Sequence, residues 1–253
     1  AIGTGGGLDV WFGLQTEASE IVAVEVNPQS VELILEDKVY SGSIYDNPRV
    51  TVHVDEGRSV LQRDDSLYDL IFLSQVVTLS AERTGYAMTE NTVFTLEAFQ
   101  EYREHLSENG YIALKLYDEV TLSRALSIGI ALFNEDGNSD IEALQHMMVL
   151  LDPSTNPPTP LLMIRNSPLS DEEASQITSA AQNRNFVVLF SPSGEVSPPL
   201  DEVISGARTY ADVISDSSAN LSAPTDAQPF FYQFDRGLPS ELITVLMIIS
   251  VVV

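Results

Sequence analysis

Cysteine is absent from the 253 residues, which excludes disulfides, thiolate metal sites and a cysteine nucleophile while leaving the compartment open. Positive charge is scarce. Twelve basic residues face 37 acidic ones for a formal charge of -25, so phosphate backbones would be repelled and nucleic acid is not an expected partner. Lysine occurs only at Lys38 and Lys115. The acidic excess is spread along the chain, which fits a generally acidic, salt-adapted protein and also a cationic substrate; we prefer the first explanation. Histidine is rare too. His53, His105 and His146 are isolated, without a second ligand at metal spacing, so no metal site is expected. The sequence shows no Ser-His-Asp arrangement, no P-loop, no internal repeat and no amino-terminal signal sequence.

What remains is 44% hydrophobic, enough to fill one large α/β domain or such a domain with a smaller lobe. Short apolar runs rich in β-formers alternate with helical stretches from residue 1 to about 116, the pattern of a parallel sheet covered on both faces. Strands are expected at 21–25 (IVAVE), 50–54 (VTVHV), 70–74 (LIFLS) and 111–116 (YIALKL). Helices are expected from about Val10, over 30–36 and over 96–106, with Trp11, Phe12 and Leu14 forming the face of the first helix that packs on the sheet. Further on, helices over 120–133 and 139–146 lead to an apolar run at 147–151, a proline-rich break at 152–160 and a strand at 161–165, which together suggest an antiparallel hairpin closing the sheet. Ser170 caps an acidic helix start, 186–190 reads as a strand, and 191–229, rich in Ser, Pro, Gly and Ala, reads as loop.

Both ends read as cut. Ala1 to Gly3 looks like the end of a strand whose start is missing, and the run at 242–253 (LITVLMIISVVV) is too short for a bilayer crossing but fits the first half of one, in preference to a buried terminal strand. The domain reading is a nucleoside-binding unit at 1–166, a small α/β extension at 167–238 and the start of a transmembrane helix at 239–253.

Gly3-Thr4-Gly5-Gly6-Gly7 lies at a strand end and opens a helix, where backbone must approach a ligand closely. Its spacing is GxGxG. A dinucleotide fingerprint would need a small residue three positions after Gly5, where Leu8 stands, which disfavours a nicotinamide or flavin enzyme. Glu25, twenty residues after Gly5 and at the end of the next strand, is placed to accept the hydroxyl protons of an adenosine ribose. A third strand ends in Asp55-Glu56-Gly57, offering carboxylates to an adenine amino group, and a fourth ends at Ser74. Successive strands therefore deliver polar groups at their carboxyl ends, where open α/β sheets bind ligands. Glu25→Ala is expected to abolish nucleoside binding with the fold intact.

The segments GTGGGLD, VEVNPQSVELI, NPRVTVHVDEGRSVL and SLYDLIFLS resemble, in order and spacing, the spermidine synthase family of Rossmann methyltransferase-like proteins. GYAMTENTVFTLEAFQEYREHLSENGYIALK and APTDAQPFFYQF at 223–234 are closer still to membrane-embedded spermidine synthase-like proteins of bacteria. The resemblance implies an α/β, Rossmann-like methyltransferase-type sheet, mostly parallel with an antiparallel closing hairpin, and S-adenosylmethionine or its decarboxylated form as cofactor. It implies that Gly3, Gly5 and Gly7 line the methionine portion, Glu25 holds the ribose, and Glu56 and Gly57 meet the adenine with Asp55 adjacent. Asp9, one position beyond the acidic residue that follows the glycines in soluble members, is assigned to the ligand's amino group.

Partners implied are a small-molecule acceptor, a polyamine among the candidates, and a membrane reached through flanking helices, with the catalytic domain on the cytoplasmic side and a homodimer left open. One departure matters. Soluble members carry an aspartate after the fourth strand, regarded as the base that deprotonates the amine, and a second three residues later; here these are Ser74 and Val77. Putrescine enters as a dication, so aminopropyl transfer needs carboxylates there. Glu82, Tyr86 and Glu90 lie in the segment expected to cover the acceptor pocket, and one of the acids is a candidate replacement. Two readings follow: a transferase moving a methyl or aminopropyl group to an amine-type acceptor, or an inactive nucleoside- or polyamine-sensing domain of a membrane protein.

Overall fold

The computed structural model describes residues 1–76, 90–237 and 247–249. Val77, Glu82, Tyr86 and most of the terminal apolar run lie outside the described residues. Among those described, no helix is long and apolar enough to cross a membrane.

Local chemistry divides the chain much as its apolar runs suggest. Helix α1 (Leu8–Leu14) precedes β1 (Ile21–Glu25), α2 (Pro28–Glu36), α3 (Lys38–Ser41), β2 (Val50–Val54), α4 (Gly57–Leu61) and β3 (Tyr68–Ser74). The start of α2 is fixed by the Asn27 side chain, which accepts from the Gln29 amide, and by Pro28 in the first turn, where its missing N–H costs nothing. Then come α5 (Leu96–Glu104), β4 (Leu106–Lys115), α6 (Glu119–Asn134), α7 (Asp140–Leu144), β5 (Met147–Asp152) and β6 (Thr159–Arg165). The chain continues through α8 (Asp171–Gln182), β7 (Val187–Phe190), α9 (Leu200–Ile204) and α10 (Tyr210–Ser215). Reciprocal capping boxes at Asp118, Ser139, Ser170 and Thr209 start α6, α7, α8 and α10.

The sheet is assembled around the first residues. β1 pairs with β2 in parallel, and β3 with β4 in parallel. Ile2 bridges the two pairs, lying parallel to both Val24 and Leu73. Beyond β4 the hairpin of β5 and β6 joins with β6 antiparallel to β4, and β7 adds antiparallel to β5. The order is β2, β1, the Ile2 segment, β3, β4, β6, β5, β7. This is an α/β, Rossmann-like methyltransferase-type sheet, mostly parallel on one side and closed by antiparallel strands on the other. Strand order reverses on either side of the Ile2 segment, which makes its carboxyl end the switch point where open α/β sheets take ligands.

Helices cover both faces. On one face Leu73, Ile112, Leu114 and Ile164 pack with Phe99 and Tyr102 of α5 and with Ala125, Ile128 and Phe133 of α6. On the other, Val10 of α1 and Val31 and Ile34 of α2 meet Ile21 and Ala23, while Ala174 and Ala181 of α8 cover Met148, Leu150 and Val188. Of the expected α1 face, Leu14 packs against this cluster but the two aromatic rings do not. Trp11 and Phe12 are 46% and 53% exposed, and Val10 is fully buried. Gly13, three residues on, brings the helix so near the sheet that a Cβ there would stand 3.0 Å from Ile21 Cδ1. The helix thus docks through Val10, Gly13 and Leu14, leaving the rings of Trp11 and Phe12 outside.

The segment at 191–229 is also more ordered than its composition suggests, since it contains α9 and α10. Their side chains Leu200, Val203 and Tyr210 join the principal core. Residues 220–234 then strap back across α6. Arg124, 1% exposed, donates to the carbonyls of Asn220, Phe230 and Phe231, and its guanidinium stacks 4.5 Å from the Phe234 ring centroid. Burial lowers its pKa to about 10, so at neutral pH the strap's carbonyl dipoles surround a full charge. Phe231 stacks on Phe94 at 4.4 Å, and Arg58 holds Asp226 of the strap while forming a two-point contact with Glu101.

Candidate functional site

The glycine-rich turn and the acid of the neighbouring strand are in contact. The Gly5 amide donates to Glu25 Oε2 at 2.7 Å, and the Asn27 amide donates to Oε1 at 2.8 Å. Glu25 is 7% exposed, so both bonds are charge-assisted and shielded from water. Gly5 has φ +47, and a Cβ on it would meet nothing within 4 Å. The turn therefore presents bare backbone at Gly5, where a side chain would meet no neighbour. Gly7 has a role in the fold: it caps α1 at φ +79, and a Cβ there would lie 2.3 Å from Ile44 Cδ1. Gly3 faces Val76, whose Cγ2 is 2.9 Å from where a Cβ would stand.

Beneath the turn, Thr4 Oγ1 and Tyr45 Oη lie 3.0 Å apart, both buried. Burial raises the Tyr45 pKa, and the nearby charges of Glu25 and Asp9 raise it further, so the phenol stays protonated and keeps a proton to donate. Neither residue stood out in the sequence, although Thr4 lies inside the glycine motif.

The end of β2 is largely occupied by its own structure. Asp55 accepts from the Glu56 amide and pairs with Arg63, contacts that hold its carboxyl below the usual range, the amide contributing most. Glu56 caps α4 through Oε2, which accepts from the Ser59 amide at 2.8 Å. Its Oε1 is buried and has no hydrogen-bond partner among the described residues. A lone acceptor of this kind is costly unless a donor reaches it. Gly57 packs against Ile2, with a Cβ position 2.6 Å from Ile2 Cγ2. Of the three expected adenine contacts, Glu56 is the one with a buried side-chain oxygen left unpartnered among the described residues.

At the end of β3, Ser74 is the register partner of Lys115 on β4. Asp9 of α1 completes the group. Burial raises its pKa, opposed by the charges of Lys115 and of the Ala1 amino group and by the Ser74 hydroxyl. Ser74 and Asp9 are therefore neighbours, which their separation in sequence did not reveal. Lys115 was read only as a strand residue; its rarity was the available signal. The following turn is held firmly. Gln75 adopts φ +48, its carbonyl accepts from Tyr117 Oη at 3.0 Å, and the Val76 carbonyl accepts from Tyr232 Oη and Asn91 Nδ2, each at 3.3 Å. Tyr232 belongs to the strap, so the strap reaches the site. Glu90 is exposed.

The histidines stand apart. His53 is exposed on β2, and both ring nitrogens of His105 face the carbonyls of Glu101 and Asp64. Buried His146 stacks on Phe133 with its pKa lowered by burial. Among the described residues no group of three or more His, Cys, Asp or Glu is arranged to hold a metal ion.

The fold places the chain in the Rossmann-like, methyltransferase-type class. No family model matches the sequence and no curated protein does so either. Solved structures with a similar course of chain are spermidine synthases and methyltransferases. A spermidine synthase from Thermotoga maritima is 15% identical, with a TM-score of 0.45 over 68% of this chain and 55% of its own. A spermidine synthase in complex with the transition-state analogue AdoDATO is 14% identical, with a TM-score of 0.45 over 97% of this chain and 65% of its own. Human methyltransferase-like protein 13 in complex with SAH is 16% identical, with a TM-score of 0.49 over 72% of this chain and 78% of its own. The chain thus spans less than two thirds of either spermidine synthase. At such identities the likeness concerns the fold alone.

Proposed function

We propose that this chain binds the adenosine part of S-adenosylmethionine or of its decarboxylated form, and transfers a methyl or aminopropyl group to a small amine-type acceptor. The observation that carries the reading is the Gly5–Glu25 contact at the switch point, with bare backbone at Gly5 where a side chain would meet no neighbour. In a site so built, Glu25 keeps unused lone pairs for the ribose hydroxyls, and the unpartnered Glu56 Oε1 suits the amino group of an adenine. The sulfonium supplies an activated leaving group when the cofactor is bound. The protein's part is to hold the acceptor in line with it and exclude water.

The second reading, an inactive sensor of nucleosides or polyamines, is favoured by Ser74, whose hydroxyl is a poor base where the resembling family has a carboxylate. Titration calorimetry with S-adenosylmethionine, its decarboxylated form and NAD separates the possibilities. Binding of either adenosylsulfonium without NAD supports the nucleoside reading, and NAD binding alone would replace it. Product formation with a panel of diamines then divides transferase from sensor. We further propose that the apolar run at 242–253 brings the chain to a membrane; co-flotation with phospholipid vesicles, lost when that run is removed, is the expected result.

A further inference from the structure

The strap meets the start of α4 through one arginine. Arg58 is the second residue of that helix, and its side chain is only 11% exposed. A guanidinium carries five N–H donors, and here each of them is engaged. Nε and Nη2 donate to Glu101 of α5 at 3.0 and 2.6 Å, Nη1 and Nη2 donate to Asp226 of the strap at 2.7 and 3.0 Å, and Nη1 also reaches the Thr92 carbonyl at 3.3 Å. Two carboxylates from distant parts of the chain therefore grip one planar group by two points each.

Asp226 is itself fixed. Thr95 Oγ1 donates to its Oδ1 at 2.6 Å, its amide donates to Glu97 Oε2 at 2.9 Å, and on either side of it the carbonyls of Pro224 and Pro229 accept from the Leu96 and Asn91 amides at 2.9 and 2.6 Å. Two residues before Arg58 stands Glu56, whose Oε1 is buried without a partner among the described residues. The two charges act on one buried phenol: burial raises the Tyr102 pKa, Glu56 raises it further and Arg58 opposes them. An arginine so near an unpaired carboxylate oxygen would ordinarily take it as a counter-ion. It does not, because its donors are committed elsewhere.

We propose that Asp226 is a positioning residue for base recognition: by occupying Arg58 it keeps the guanidinium off Glu56 and leaves Oε1 to accept from the exocyclic amino group of the ligand's purine. The inference rests on the nucleoside reading above and adds a determinant of selectivity to it, for 6-aminopurines over purines without that group. The determinant lies 168 positions along the chain from the arginine it restrains. Once the Asp226 charge is removed, Arg58 regains free donors, and the uncommitted carboxylate oxygen at the same helix start is that of Glu56. The base then loses its acceptor while the ribose keeps Glu25.

The test is calorimetry of the full chain at neutral pH, below the thermal midpoint of each variant, with methylthioadenosine and its analogue lacking the 6-amino group. The wild type is expected to bind methylthioadenosine at least about tenfold more tightly than the analogue, the effect of one hydrogen bond to a carboxylate. Asp226→Asn should cut that preference to less than about threefold while leaving affinity for the analogue within about twofold of wild type. Adding Arg58→Gln to Asp226→Asn should recover the preference, because the competing guanidinium is gone, whereas a merely structural clasp would be damaged further. Tyr232→Phe, which removes a different bond of the strap, should leave the preference intact. Circular dichroism confirms that each variant is folded. Full preference in Asp226→Asn would overturn the proposal, as would the same loss in Tyr232→Phe or no recovery in a folded double variant; if the double variant does not fold, the two single variants decide by the same criteria. Two wild-type results are distinct from these: binding of neither probe removes the nucleoside reading, and equal binding of both removes Glu56 as the amino acceptor, and the proposal falls with either.

Discussion

Replacing Glu25 by glutamine tests the central geometry most directly. Its two carboxylate oxygens receive the Gly5 and Asn27 amides at 2.7 and 2.8 Å in a residue only 7% exposed. Hydrogen bonds to a charged acceptor contribute about 1.5–3 kcal/mol each. Glutamine keeps one carbonyl oxygen and turns an NH2 toward the second amide, so one bond is lost and a donor faces a donor. The expected cost is about 2–4 kcal/mol in urea unfolding, or about 5–10 °C in thermal midpoint for a chain of this size. Nucleoside affinity, measured with methylthioadenosine well below the new midpoint, should fall at least about tenfold, since the ribose acceptor and the turn's anchor are the same group. An unchanged unfolding midpoint would refute the claim that this carboxylate holds the turn. A lowered midpoint with unchanged affinity would leave Glu25 a purely structural residue. The structural share also modifies the expectation for Glu25→Ala, which should lose stability along with ligand.

Other perturbations probe the surrounding framework. Gly7→Ala combines a left-handed backbone with a Cβ 2.3 Å from Ile44 and should lower stability by about 2–3 kcal/mol by denaturant titration. Phe231→Ala empties a fully buried position stacked on Phe94; a loss of about 3–5 kcal/mol is expected, and a loss under about 1 kcal/mol would show that the strap is not part of the core. Asp226 has its pKa lowered, chiefly by Arg58. A depressed carboxyl stabilises the fold above its unfolded pKa of about 3.9 and loses that contribution as pH falls through the folded value. The thermal midpoints of wild type and Asp226→Asn should therefore differ at pH 6 and converge only as the pH falls from about 4 through the lower folded value.

Much of the architecture was legible because the strands are short runs of β-branched residues bounded by polar ones. The runs at β1 and β2 gave their limits directly, and the prolines at 157–160 together with the apolar stretches around them announced the antiparallel hairpin. Helix α1 was partly misread because hydrophobicity alone favours Trp11 and Phe12 as the packing face, whereas close approach to the sheet is set by the smallness of Gly13. The stretch at 191–229 was read as loop because α9 and α10 are too short to declare a period and are held by tertiary partners; Tyr210, for instance, donates to the Ser123 carbonyl. At the site, the glycine turn and Glu25 could be paired from their spacing. The Asp9, Ser74 and Lys115 grouping could not, because it joins three distant segments through strand register.

The strap has a practical consequence for handling the molecule. Between Gly237 and the turn at Val76 the chain is moored twice, first by Arg236 on the carbonyls of Ala219, Ile214 and Ser215, then by the Arg124 cradle. A tug at the far end is absorbed by these moorings before it reaches Tyr232, so a fluorophore or surface tether attached after Gly237 should leave the turn at Val76 undisturbed.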